Sequence, residues 1–264
     1  RFLLVFSQPC YPLIDINLMS IDFPPWSPFF KRILLLFVFV STSSFAAKAG
    51  GVRITSHGHS SLLIRGDGRS VLLNPFKAVG CAQGLKEPRL RANVILASSE
   101  LADEGARIAK GTFLVKPGSY RIDGMNLEGF TAPHDRFGGR RYGLATIWQW
   151  TQGGLNFAHL GGAAAPLNGE DKVLLGRPDV LIIAVGGGSK VYNGFEAAQV
   201  VKQLKPKRVI PVQYVRRGQA SSQCDQTTIQ PFLDALKGTE IRKVGKSLYL
   251  SNTLSGQTVI NLMR

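Results

Sequence analysis

The sequence predicts an α/β protein, a four-layer αββα sandwich of two mixed β-sheets flanked by helices. Three observations carry that prediction. From Val52 the chain runs as short alternating strands broken by glycine-rich turns, the pattern of a β-meander. After Pro166 it changes to helix–strand–helix units, the first with a fully apolar strand, Val180–Val185, as a strand covered on both faces is. No linker separates the two halves, so they read as one folded unit.

In order along the chain, "VRITSHGHSSLLIRG" and "RSVLLNPF" alternate apolar and polar residues and read as strands. They meet at a turn, Gly66-Asp67-Gly68, that suits a tight hairpin. "NVILAS" is a short buried strand, and "ELADEGARIAK" has helical character ending at Lys110-Gly111. "TFLVKPGSYRIDGMNLEGFTA" alternates through two turns, and "RYGLATIWQWTQGGLNFAHLGG" gives two strands joined at Gly153-Gly154. Trp148 and Trp150 fall on one face of their strand, fit for a core or a partner patch. "GEDKVLLG" is a short helix before the apolar strand Val180–Val185. A second helix is capped by Asn193 and leads to the strand Arg208–Val212. "IQPFLDALKGTE" is a third helix, and two strands close the chain.

The 264 residues, 44% hydrophobic and 19% charged, suffice for one large core and exclude a disordered chain. The formal charge of +15 implies affinity for anions: a small anionic ligand, or an acidic membrane surface. No run of like charges forms a basic tail, and no nucleic-acid motif is present, so nucleic acid is a disfavoured partner. Residues 1–49 read as an extension ending in a secretory signal, and residues 50–264 as the folded domain. Lys31-Arg32, the apolar run Ile33–Val40 and the small residues to Ala47-Lys48-Ala49 have the three-part layout of a signal cleaved near Ala49. The alternative is an uncleaved anchor over Pro28–Ala47. Export would place the domain in a periplasm, a thylakoid lumen or the extracellular space. There Cys81 and Cys224 form an even pair and a disulfide candidate, with two buried thiols as the alternative.

Six short segments are similar, in order and wording, to the metallo-β-lactamase superfamily, in particular its small single-domain hydrolases related to sugar-phosphate lactonases. They are "HGHSS" (57–61) with "NPF" (74–76), "PHDRFGGRRYGLAT" (133–146), "HLGG" (159–162), "AVGGG" (184–188) and "PVQY" (211–214). The resemblance spans about Val52 to Tyr249. It implies a pair of divalent metals at strand ends, held by imidazoles and carboxylates around an activated water. It also implies that the ligand positions are degenerate here. The T-H-x-H-x-D-H signature maps onto "ASSELAD", so Ala97 takes the threonine position, Ser98 and Glu100 the first two histidines, Ala102 the aspartate and Asp103 the last histidine. Gly162 stands for the bridging aspartate and Gln213 for the final histidine, while His134 keeps its place. Hydroxyl and carboxamide are poor ligands beside imidazole, and alanine and glycine bring no side-chain donor.

The expectation is therefore a binding frame for a small anionic ligand or partner, with no cofactor. The alternative is a phosphate-ester or lactone hydrolase using one divalent ion (Zn, Mn or Fe) held by Glu100, Asp103, His134 and His59. The resemblance brings Arg136, Arg140 and Arg141 to the same rim as Arg216 and Arg217, an anion-binding set to which the amides of Gly186–Gly188 could add a nest. It also sets Cys81 and Cys224 in loops near that rim. A nucleophilic Ser98 would need His134 or His59 as its base.

Overall fold

The computed structural model describes residues 50–216 and 222–264. The signal or anchor segment and Arg217 lie outside the described residues. One sheet holds β1 (Gly51–Gly58), β2 (Ser61–Gly66), β3 (Arg69–Leu73), β4 (Arg91–Leu96), β5 (Lys110–Leu114) and β13 (Ser247–Ser251), in the order β13-β1-β2-β3-β4-β5. The other holds β6 (Gly118–Ile122), β7 (Met125–Pro133), β8 (Leu144–Gln152), β9 (Leu155–Leu160), β10 (Val180–Ala184), β11 (Arg208–Val212), β12 (Glu240–Lys243) and β14 (Val259–Leu262). Its order is β12-β14-β11-β10-β9-β8-β7-β6. Both sheets are mixed: β3–β4–β5 run parallel in the first, and β9, β10, β11, β14 and β12 in the second.

Three hairpins use one device. Asp67-Gly68, Asp123-Gly124 and Gly153-Gly154 each form a two-residue loop with both φ angles positive, the geometry whose twist matches the flanking strands. The period-2 pattern then sorts the side chains. Leu62, Ile64, Val71, Leu73, Val94 and Leu96 face the space between the sheets, while Leu63, Leu72 and Ile95 form a small cluster on the other face. Trp148 and Trp150 are both in the inter-sheet core; Trp150 stacks on Phe157 at 4.9 Å, and the Trp148 indole donates to the Ala97 carbonyl at 2.9 Å.

The helices α1 (Gly169–Leu175), α2 (Gly194–Leu204) and α3 (Gln230–Ala235) contribute to a second core against the outer face of the larger sheet. α1 and α2 open with complete capping boxes, Asn168 with Asp171 and Asn193 with Glu196. α2 buries Ala197, Ala198, Val200, Val201 and Leu204, a stripe at helical spacing.

Two expectations need correction. The terminal segment forms three strands, β12, β13 and β14, not two. "ELADEGARIAK" is not a helix but a series of turns that runs into β5 at Lys110. Tertiary bonds override its propensity: the Ala102 carbonyl accepts from Lys77 N–H at 2.7 Å, and Ala106 N–H donates to the Pro75 carbonyl at 2.8 Å. A Cβ at Gly105 would lie 1.7 Å from the Ser99 carbonyl oxygen, so the chain folds back on itself more tightly than a helix allows.

A buried ion pair at the candidate metal centre

The motif segments follow strand ends: 97–105 after β4, His134 after β7, Gly161-Gly162 after β9, Gly186–Gly188 after β10 and Gln213 after β11. The β1–β2 turn brings His59 to the same edge, with its carbonyl accepting from Gln213 N–H at 3.2 Å. His59 and Gln213 both hold φ near +50°, which lets the two turns meet.

The centre of this edge is filled by a residue the sequence reading missed. Glu104 is fully buried, and its Oε1 lies 2.6 Å from His134 Nε2, itself fully buried. His134 Nδ1 donates to the carbonyls of Gly162 (2.5 Å) and Lys190 (3.1 Å), which leaves Nε2 facing the Glu104 carboxylate, and the raised His134 and lowered Glu104 pKa values favour imidazolium with carboxylate. Burial opposes both charges, pushing Glu104 up and His134 down. Their mutual hydrogen bond and attraction outweigh it, leaving Glu104 below and His134 above its ordinary pKa. Lys190 adds a second cation: its ammonium bonds Asp103 at 2.7 Å, and Asp103 and Glu104 together hold its pKa up against burial. The only sequence signal for Glu104 was a carboxylate one position past the expected signature.

The four candidate metal ligands do not converge. The Glu100 side chain is 73% exposed and meets only Arg107, at 3.7 Å. Asp103 is neutralised by Lys190, and His134 has no lone pair left to give. His59 is half-buried, with its Nε2 buried and unpartnered, and desolvation lowers its pKa in spite of Asp103 and Glu104 nearby. Among the described residues no three His, Cys, Asp or Glu side chains are placed to hold a metal. The positions matching family ligands are equally unsuited. A Cβ on Gly162 would come within 2.8 Å of Ser98 Cβ and 3.0 Å of Ala145 Cβ, leaving no room for an aspartate. Gln213 turns its amide toward Glu104 Oε2 at 3.5 Å, and Ala102 has no side-chain donor. The residues present do not fit the family's metal centre.

Ser98 is held in a buried network. Its N–H donates to Asn74 Oδ1 at 2.8 Å, Asn74 Nδ2 donates back to its hydroxyl at 3.0 Å, and His159 Nε2 lies 3.3 Å away. The base beside Ser98 is thus His159, not His134 or His59. Burial pushes His159 down to about 4, and Ser98 is 1% exposed, which seals the pair from substrate.

The arginine set separates. Arg136 is spent within the fold, paired with Glu196 at 2.7 Å and donating to the carbonyls of Gly188 and Val191. Arg140 donates to the Phe137 carbonyl, and Arg141 lies over the Tyr142 ring. Their loop is wound around Asp135. Burial pushes the Asp135 carboxyl up, but four backbone N–H groups, from Tyr142, Arg141, Phe137 and Gly139, bond it and together outweigh that, lowering its pKa to about 2. The glycine nest is also occupied, since the Asp225 carboxylate lies where a Gly188 Cβ would stand and accepts from Ser189 N–H at 2.9 Å. Cys81 and Cys224 are bridged, joining the segment after β3 to the one before α3. Arg216 donates to the Met263 carbonyl at 3.2 Å and lines both the cavity beside His59 and a groove of about 500 Å³ between the β1–β2 turn and the 85–90 loop.

Residues 53–213 match the family described as the beta-lactamase superfamily domain. The fold resembles a proposed Zn-dependent hydrolase of the metallo-β-lactamase superfamily from Thermotoga maritima, at TM-score 0.64 and 22% identity, over 81% of this chain and 100% of that one. It also resembles a proposed metal-dependent hydrolase from Parabacteroides distasonis (TM-score 0.55, 19% identity, 81% and 94% covered). A third is the metallo-β-lactamase fold protein YhfI of Bacillus subtilis (TM-score 0.52, 10% identity, 80% and 96% covered). No curated protein matches the sequence.

Proposed function

The chain belongs to the metallo-β-lactamase superfamily, and from that premise we propose that it is an exported, non-catalytic member that binds a small anionic ligand. The observation that carries the reading is the Glu104–His134 ion pair at the place of the metal centre. A metal site concentrates carboxylates and neutral imidazoles so that a cation completes the charge balance. Here the positive charge is already supplied by imidazolium and by the Lys190 ammonium, and an arriving metal would meet cations. The formal charge of +15 supports an anionic ligand, and the Cys81–Cys224 bridge supports an oxidising compartment. The motif order resembles that of the lactonase-like branch, and that resemblance supports an anion of sugar-phosphate size.

The test is elemental analysis of the full chain after loading with zinc, manganese or iron and desalting, beside a His134→Ala variant. The expected result is no stoichiometric metal in either protein. One metal per chain that disappears in the variant would overturn the reading in favour of a mononuclear hydrolase.

A further inference from the structure

We propose that the groove beside the β1–β2 turn is a binding site for a small molecule carrying adjacent phosphate groups, received by Lys86, Lys246, Arg216 and Arg264. The inference rests on the binding-protein reading and gives it a place and a ligand class. The groove holds about 500 Å³, within the ordinary range for small-molecule sites. Five cations line it: these four and Arg89. The single acid on its wall, Glu87, is engaged by Arg89 at 2.7 Å. Among the described residues none of the other four is paired with a carboxylate. Lys86, Lys246 and Arg216 place at least three cationic side chains without a partner carboxylate around one concavity, and a compact multivalent anion can engage several of them where a monocarboxylate would offset only one charge. Leu85, Pro88 and Leu90 on the same wall give an apolar body somewhere to lie.

An independent feature marks the site. His57 lines the groove with Nε2 buried and unpartnered. Burial, Lys246 and Arg65 all depress its pKa, so an anion bound beside it would change its surroundings and be seen in its NMR signals. The arginines around the Asp135 loop offer no comparable enclosure, since Arg136 is already paired.

The experiment is calorimetric titration of the full chain with inorganic pyrophosphate in about 20 mM NaCl, where screening is weak, alongside the His57 imidazole resonances. We expect saturable one-to-one binding that shifts those resonances. Affinity should fall about tenfold or more in the double variant Lys86→Gln/Lys246→Gln, as loss of charge-assisted bonds implies, and stay unchanged in Lys202→Gln. Absence of binding overturns the proposal. So does equal binding by the double variant, loss only in Arg140→Gln/Arg141→Gln, or a preference for anionic vesicles or duplex DNA over pyrophosphate. Release of inorganic phosphate during the titration would instead sink the non-catalytic reading while leaving the groove as the site.

Discussion

At the scale of single residues, Glu104 decides the character of the site. Removing one partner of a buried ion pair leaves the other charge unpaired, which costs about 3–5 kcal/mol. Glu104→Gln should therefore lower the urea midpoint by a matching amount. A variant as stable as the parent would mean that the pair contributes nothing. Glu104 was not legible in the sequence, because nothing in "SSELADEG" says which of its three carboxylates turns inward. Periodicity suggested a helix, and a helix would have made Glu100 and Glu104 neighbours on one face. The real segment is a set of turns that exposes Glu100 and buries Glu104. His134 was legible, since it alone of the mapped positions kept its residue type, but not the fact that its lone pairs are spent.

At the scale of elements, the strands and their hairpins were plain in the sequence, because alternation and Asp-Gly or Gly-Gly loops are local signals. Contacts between loops were not. The arginines after His134 were expected to face the same rim as Arg216, yet the Asp135 hydrogen bonds and Glu196 fix Arg136 within its own loop, while Arg216 faces the groove. The Cys81–Cys224 bridge ties the segment after β3 to the one before α3 across 143 residues. Closing so long a loop restricts the unfolded chain, so Cys81→Ser/Cys224→Ser should lose about 2–4 kcal/mol. Equilibrium unfolding of the full chain, with and without reductant, checks this. An oxidised parent no more stable than the variant would show that the bridge adds no net constraint.

At the scale of the whole molecule, the four histidines set opposing limbs of a pH–stability curve. The folded pKa of His134 is raised, so its contribution is complete below its ordinary 6.5 and is lost as pH rises through the folded value. Glu104 is depressed; its share is present above 4.5 and is lost as pH falls through its folded value. His57, His59 and His159 are held neutral by burial, His159 down to about 4, so each costs stability as pH falls below 6.5. Denaturant midpoints across the pH range should peak close to 6.5 and fall on both sides. The double variant Glu104→Gln/His134→Gln, which leaves no unpaired buried charge, should flatten the alkaline limb and remove the Glu104 share of the acid limb. An unchanged alkaline limb would show that His134 is not the imidazolium inferred here. The crowding at Gly162 also limits what one substitution can restore: an aspartate there has no space beside Ser98 and would face Glu104 as a second buried anion, so Gly162→Asp alone costs stability without supplying a ligand.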